Sequence, residues 1–277
     1  MPRARSASRG QYGPIIDAHM HPMLPGMEPI MGVPHGAEEY LRVVRGLDLR
    51  YALALVMAPR GDLSETRALN NKVLALAHQT GSKFVPVCSV HPGDGGDALL
   101  ELDRVASAGA RGLKLHPNTQ AFDVADPTVA AVVGRATEHK LPVVFDGYSP
   151  FDANQPGKFV RLAMAVPDAR LILTHAHGPQ FPNLLVYEML ARYPWWRRNV
   201  WIDLSATAPL LARSPFAEQF AWVSRKVGTD RLLFGSDYPM DEPRSAIEAV
   251  ASYGFSKPER SAIFYDNAAK LFGLPSR

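Results

Sequence analysis

Two histidines spaced H-x-H, His19 and His21, stand in Asp17-Ala18-His19-Met20-His21-Pro22. A third imidazole, His175, ends the run Leu171-Ile172-Leu173-Thr174-His175. Two carboxylates end similar runs: Asp146 after Pro142-Val143-Val144-Phe145, and Asp237 after Leu232-Leu233-Phe234-Gly235-Ser236. Imidazole nitrogen with carboxylate oxygen suits Zn²⁺, Mn²⁺ or Fe²⁺ better than thiolate-seeking copper or oxygen-only Ca²⁺. A catalytic cation of this kind keeps a position open for water and lowers its pKa to about 7. A nearby carboxylate can then take the proton. Taken singly, each residue has an ordinary reading: His175 as a hydrogen-bonded core histidine, Asp146 as a helix N-cap, the H-x-H as a chance match. Their shared position at the ends of apolar runs is what favours chemistry.

Those runs are the elements that must position the site. Ile15–His19, Tyr51–Met57, Phe84–Val90, Gly112–His116, Pro142–Asp146, Leu171–His175, Val200–Leu204 and Leu232–Gly235 are short and rich in Val, Ile and Leu. Helical periodicity fills the gaps, as over Glu65–His78, where Leu69, Val73, Leu76 and Ala77 share a face. Continuously apolar strands imply a parallel sheet covered on both faces. Repeated strand–helix units of roughly 30 residues predict a (β/α)8 TIM barrel of about 250 residues. The competing doubly wound sheet would place a glycine-rich phosphate loop after an early strand, and no G-x-G-x-x-G follows the first one here. The tail patterns Lys257–Phe264 and Asn267–Phe272 are expected to cover one side of the barrel.

In such a barrel, polar residues at the C-terminal strand ends form the active site, and residues two apart share a side. His19 and His21 then share the parity of Asp17, and Lys114 points the same way as His116. The seventh strand brings Asp203 and Ser205. His35, His78, His91 and His139 fall in loops or helices and read as structural, while His177 stays open. Trp195-Trp196-Arg197-Arg198 follows a helix and reads as packing or a subunit contact.

Composition narrows the class. The chain has 277 residues, 47% hydrophobic and 21% charged, with a formal net charge of +3, which excludes fibrous and largely disordered chains. That charge is too small and dispersed to predict nucleic-acid binding. The single cysteine, Cys88, cannot form an internal disulfide. No apolar run approaches the roughly 20 residues of a membrane span, and Met1–Gly10 lacks the apolar core of a secretory signal. The expectation is a cytoplasmic chain with a flexible basic tail over 1–12 and one barrel domain over 13–277.

Across nearly its whole length the chain resembles the amidohydrolase superfamily, and within it the amidohydrolase-related branch of aminocarboxymuconate-semialdehyde decarboxylase-like enzymes. Ile16-Asp17-Ala18-His19-Met20-His21 matches the opening metal motif, and Gly112-Leu113-Lys114-Leu115-His116-Pro117 the fourth-strand pattern. Leu173-Thr174-His175-Ala176-His177-Gly178 resembles the sixth-strand histidine motif. Leu233-Phe234-Gly235-Ser236-Asp237-Tyr238-Pro239 is the most specific match, and Asp266-Asn267-Ala268-Ala269-Lys270-Leu271-Phe272 resembles the closing helix. The resemblance implies His19, His21 and Asp237 as metal ligands, with Asp237 also moving the proton. It implies that His175 either binds the metal or polarises the substrate. One departure stands out: relatives carry a metal-binding histidine at the end of the fifth strand, where this chain has Asp146. That carboxylate would either serve as a ligand or hold a substrate donor. Lys114 is expected as an ammonium facing Asp146 or a substrate carboxylate, rather than as a carboxylated bridge between two metals.

The first functional expectation is therefore hydrolysis dependent on a divalent metal, zinc before manganese or iron. Asp237 would take a proton from water, and His175 would help stabilise the oxyanion. The alternative is non-oxidative decarboxylation of an aromatic or enol acid, with Arg60 and Lys114 as cationic anchors. A non-catalytic ligand-binding barrel is the third reading. The apolar, Met-rich loop from Pro22 to Met31, with Tyr148 and Phe151, suggests a mouth for a cyclic or aromatic small molecule, beside which His116 is also placed as a substrate contact. No nucleic-acid or membrane partner is expected, and the resemblance allows a homodimer.

Overall fold

The computed structural model describes residues 10–277. Each apolar run is a strand: β1 (Ile15–Met20), β2 (Leu49–Leu55), β3 (Phe84–Ser89), β4 (Gly112–Leu115), β5 (Val143–Phe145), β6 (Leu171–Leu173), β7 (Val200–Asp203) and β8 (Leu232–Leu233). They pair in parallel and in chain order from β1 to β8. Backbone bonds join the last strand to the first: Ala18 N–H donates to Phe234 O at 2.8 Å and Asp237 N–H to His19 O at 2.8 Å. The sheet thus curls into the expected (β/α)8 TIM barrel.

Helices lie between and after the strands: α1 (Ala37–Val43), α2 (Leu63–Gln79), α3 (Gly96–Ser107), α4 (Pro127–Glu138), α5 (Gln155–Ala165), α6 (Leu185–Leu190), α7 (Thr207–Leu211), α8 (Ala217–Val227), α9 (Pro243–Ser252), α10 (Lys257–Ser261) and α11 (Asn267–Phe272). Their starts carry the sequence signals that favour them. Asp126 caps α4 by accepting from Thr128 N–H, with Pro127 in the first turn. Ser256 and Glu259 form a reciprocal capping box on α10. Among the described residues, no helix is long and apolar enough to cross a membrane.

Alternate residues of the strands separate two cores. Ile16, Leu53, Val85, Val144, Ile172 and Leu233 pack inside the barrel together with Phe272 and its neighbours on α11. The opposite strand faces pack against the helices. A Cβ at Gly112, the first residue of β4, would stand 3.0 Å from the Phe272 ring, which puts α11 under the N-terminal mouth as a plug. The tail therefore covers the barrel floor, and the other mouth is left for chemistry.

One sequence expectation shifts, on α2. The buried face of α2 is Thr66, Asn70, Val73 and Ala77, while Leu69 and Leu76 are only half-buried. Asn70 explains the rotation, because its amide acts as a strand partner: Oδ1 accepts from Ser89 N–H at 2.9 Å, and Nδ2 donates to Ser89 O at 2.9 Å. In the Trp pair, Trp196 is buried and stacks on Tyr187, whereas Trp195 is exposed. Of the expected tail, residues 1–9 lie outside the described residues, and Tyr12 packs its ring against Phe264.

Candidate active site

β1 delivers both H-x-H histidines, but not by simple alternation. Its pairing with β2 shifts register between Asp17 and Met20. Ile16 and Ala18 face the barrel interior, whereas Asp17 turns outward to accept from Tyr40 Oη at 2.7 Å and Ser236 Oγ at 2.6 Å. The irregularity then returns His19 to the inside, so His19 and His21 do not share the side of Asp17. This is what a bulge does: one extra residue reverses the alternation beyond it. Asp17 braces the site from behind by holding Ser236, next to Asp237.

At the mouth, His19 Nε2 lies 3.1 Å from His21 Nε2 and 3.4 Å from Asp237 Oδ1, and His21 Nε2 lies 3.3 Å from the same oxygen. One ligand atom each from His19, His175 and Asp237 fall within 4.8 Å of one another. Asp237 reaches this position through a left-handed backbone, φ 60°. Gly235 lets β8 and β7 approach: a Cβ there would stand 2.5 Å from Asp203 Oδ1 and 2.6 Å from His19 Cβ.

β7 supplies the orienting groups. His19 Nδ1 is 2.7 Å from Asp203 Oδ2, so its proton is donated there and the Nε2 lone pair faces the cluster. Ser205 Oγ donates to Asp203 Oδ2 at 2.8 Å and lies 3.1 Å from His175 Nδ1. Regular β6 alternation would carry His175 away from the interior. Instead His175, Ala176 and His177 adopt φ of 62°, 44° and 61°, an uncommon conformation for residues with a Cβ. Thr207 Oγ1 donates to His175 O at 2.6 Å, and His177 Nδ1 donates to Gly147 O at 2.6 Å, pinning the turn from both sides.

Asp146 stands beside the cluster. Its Oδ2 is 3.2 Å from His116 Nε2 and 3.4 Å from His175 Nε2. Lys114 is almost fully buried within the field of Asp146, Asp237 and Asp203. Tyr148 packs its ring over Gly178, where a Cβ would meet it at 2.9 Å. Arg60 is exposed and lies against Gly93, not in the cluster. Phe151 is exposed as well.

The electrostatics follow from burial and mutual charge. Desolvation drives His19 well below the ordinary imidazole value, which keeps it neutral. Burial also lowers His116, to about 4, against the pull of Asp146. Burial alone would lower His175, but the hydrogen bond and charge of Asp146, with Asp237 and Asp203, outweigh it and raise it. Burial would raise Asp237 and Asp146, yet the imidazoles around each hold both below the usual carboxylate range. Lys114 is lowered by burial in spite of its acidic neighbours.

These donors fit a divalent cation. Neutral imidazole nitrogen and carboxylate oxygen converge, His19 has its second nitrogen occupied, and the carboxylates of Asp146, Asp203 and Asp237 outnumber the buried Lys114. Asp203 and Ser205 were visible at a strand end, but nothing in the sequence marked them as orienting two histidines. His177 proves to be packed between Phe159 and Tyr187 and turned from the mouth. His91 caps a short turn by accepting from Gly93 N–H, and His139 pairs with Asp103.

The barrel, its plugged floor and the His/Asp cluster at its mouth define a TIM barrel with a candidate metal site at the C-terminal ends of its strands. A family model described as amidohydrolase matches residues 16–274, and the chain belongs to that family. It is thus an amidohydrolase-family enzyme. The uncharacterized protein y4mH of Sinorhizobium fredii (strain NBRC 101917 / NGR234) is 30% identical over 138 residues, 43% of this chain. The match spans 43% of that curated relative. Among solved structures, a protein assigned as a 2-pyrone-4,6-dicarboxylic acid hydrolase from Pseudomonas putida superposes with a TM-score of 0.68 at 22% identity, over 95% of this chain and 98% of that one. A 5-carboxyvanillate decarboxylase from Novosphingobium aromaticivorans DSM 12444, complexed with manganese and 4-hydroxy-3-methoxy-5-nitrobenzoic acid, gives 0.70 at 16% identity, over 96% and 98%.

Proposed function

We propose that this protein is a metal-dependent hydrolase of a small cyclic or aromatic carbonyl compound. The observation that carries the reading is the convergence of His19, His175 and Asp237 ligand atoms within 4.8 Å, with His21 beside them. In this account His19, His21, His175 and Asp237 hold the cation, zinc before manganese or iron. A divalent cation bound there supplies Lewis acidity, lowering the pKa of water to about 7 and polarising a carbonyl.

The remaining work belongs to side chains. Asp237 takes the proton from the attacking water and passes it to the leaving group. Its surroundings favour the ionised form, which suits a base. Asp146 orients His175 and His116 beside the reacting carbonyl. Lys114 provides the buried positive charge for a substrate carboxylate and Tyr148 an aromatic wall, while Arg60, exposed against Gly93, is left out of the site. A carboxylate-bearing substrate agrees with the two proteins of similar fold, one assigned as a 2-pyrone-4,6-dicarboxylic acid hydrolase and the other a 5-carboxyvanillate decarboxylase.

Decarboxylation on the same barrel is the second reading, favoured by the buried Lys114 and by the decarboxylase of similar fold. It requires Asp237 to donate a proton to carbon, and the imidazoles around Asp237 oppose that form. Turnover of cyclic esters and aromatic carboxylates in H₂¹⁸O separates the two. Hydrolysis incorporates ¹⁸O into product without CO₂ release; stoichiometric CO₂ with no ¹⁸O in the organic product overturns it.

A further inference from the structure

The floor of the barrel, opposite the catalytic mouth, carries its own concentration of charge. A cavity of about 280 Å³ opens between the N-terminal ends of β6, β7 and β8 and the side of α11, lined by Arg170, Trp201, Asp230, Arg231 and Lys270. Arg170 precedes β6, Trp201 is the second residue of β7, Arg231 precedes β8, and Lys270 projects from α11. Three cations therefore share this space with a single acid.

That acid is already engaged. Asp230 lies 3.5 Å from Arg198 and 3.3 Å from Arg231 Nε. Arg170 donates to Leu271 O at 2.9 Å but has no carboxylate partner among the described residues, and Lys270 has none either. Arg231 stacks on Trp201 with 4.5 Å from its guanidinium carbon to the ring centroid, while its Nε faces the Asp230 carboxylate. A guanidinium presents five donors in a fixed fork, so these two arginines retain donors that the protein itself leaves unmatched.

We propose that this floor cavity binds a small oxyanion, a carboxylate or phosphate group, held by Arg170, Arg231 and Lys270 beside Trp201. Cations in excess of the acid at a partly enclosed surface attract anions, and arginine forks match the two oxygens of a carboxylate or phosphate. The cavity volume sets the size: a single oxyanion group with a small body, not a nucleotide. Because β6, β7 and β8 run from this cavity to His175, Asp203 and Asp237, the occupant would tie together the floor ends of the strands that carry the site. The proposal does not depend on the reaction at the mouth.

The test is isothermal titration of the full chain with inorganic phosphate and, separately, with acetate, which lacks the ring an aromatic mouth would hold, against sodium chloride of matched ionic strength. The expected result is saturable one-to-one binding of at least one anion with Kd of about 1 mM or tighter, and a matching rise in Tm. Phosphate alone or acetate alone identifies the group preferred. The double variant Arg170→Gln/Lys270→Gln should weaken binding at least about tenfold, the loss of one or two charge-assisted contacts. Lys270→Glu alone, at an exposed position, should weaken it several-fold and guards against a folding defect from Arg170. Asp237→Asn, at the opposite mouth, should leave it unchanged. Absence of saturable binding by either anion, undiminished binding in Lys270→Glu, or loss of binding in Asp237→Asn would overturn the proposal.

Discussion

His19 Nδ1 and Asp203 Oδ2 lie 2.7 Å apart, both almost fully buried, on strands 184 residues distant in sequence. The carboxylate accepts the Nδ1 proton and thereby fixes which nitrogen of His19 faces the cluster. Asp203→Asn presents an amide that can donate instead, which favours the opposite tautomer. Metal affinity should fall about 10–100-fold with the fold retained. Competitive titration against a chromogenic chelator measures it, and unchanged affinity would remove Asp203 from the account.

Ser205 links that pair to His175, since its Oγ contacts Asp203 Oδ2, His19 Nδ1 and His175 Nδ1 at 2.8, 3.2 and 3.1 Å. Ser205→Ala leaves His175 Nδ1 without this partner while removing little volume. The expected cost is about 1 kcal/mol in stability. As a proposed ligand of the cation that polarises the carbonyl, His175 would act on the transition state, so kcat should fall more than KM rises. A rise in KM with kcat intact would assign Ser205 to substrate binding.

A third prediction concerns stability away from the mouth. Glu101 is buried under β3 and accepts from Arg104 Nε at 2.8 Å and Asn70 Nδ2 at 2.8 Å. Burial would raise its pKa, but these hydrogen bonds and the charge of Arg104 outweigh it and hold it below the ordinary 4.5. The folded chain therefore binds this proton less tightly than the unfolded one. The stabilisation is present above pH 4.5 and is lost as pH falls through the lower folded value. Glu101→Gln should thus cost most at neutral pH and progressively less in acid, read by urea unfolding at several pH values. A cost that grows toward acid would contradict the assignment.

How far the sequence carries depends on whether a feature follows regular alternation. All eight strands were legible because a parallel barrel buries both strand faces, which leaves unbroken apolar runs, and the site candidates were the polar residues ending them. Asp17 was misread because a bulge between Asp17 and Met20 has no signature in residue type. His175 reaches the cluster only through three successive left-handed residues, none of them glycine. The buried face of α2 was displaced because Asn70, a polar residue, takes a place that periodicity assigns to apolar ones. The orienting roles of Asp203 and Ser205 depend on contacts across β1, β6 and β7, which linear spacing does not encode.

The central claim is that turnover needs a divalent cation held by His19, His21, His175 and Asp237. The direct measurement is hydrolysis of a cyclic ester that the protein turns over, before and after chelation, metal-free dialysis and titration with Zn²⁺ or Mn²⁺. Hydrolysis should fall at least about a hundredfold on removal, consistent with the several kcal/mol a Lewis acid supplies, and return at one equivalent of metal. Full activity in protein with no measurable transition metal would contradict the account.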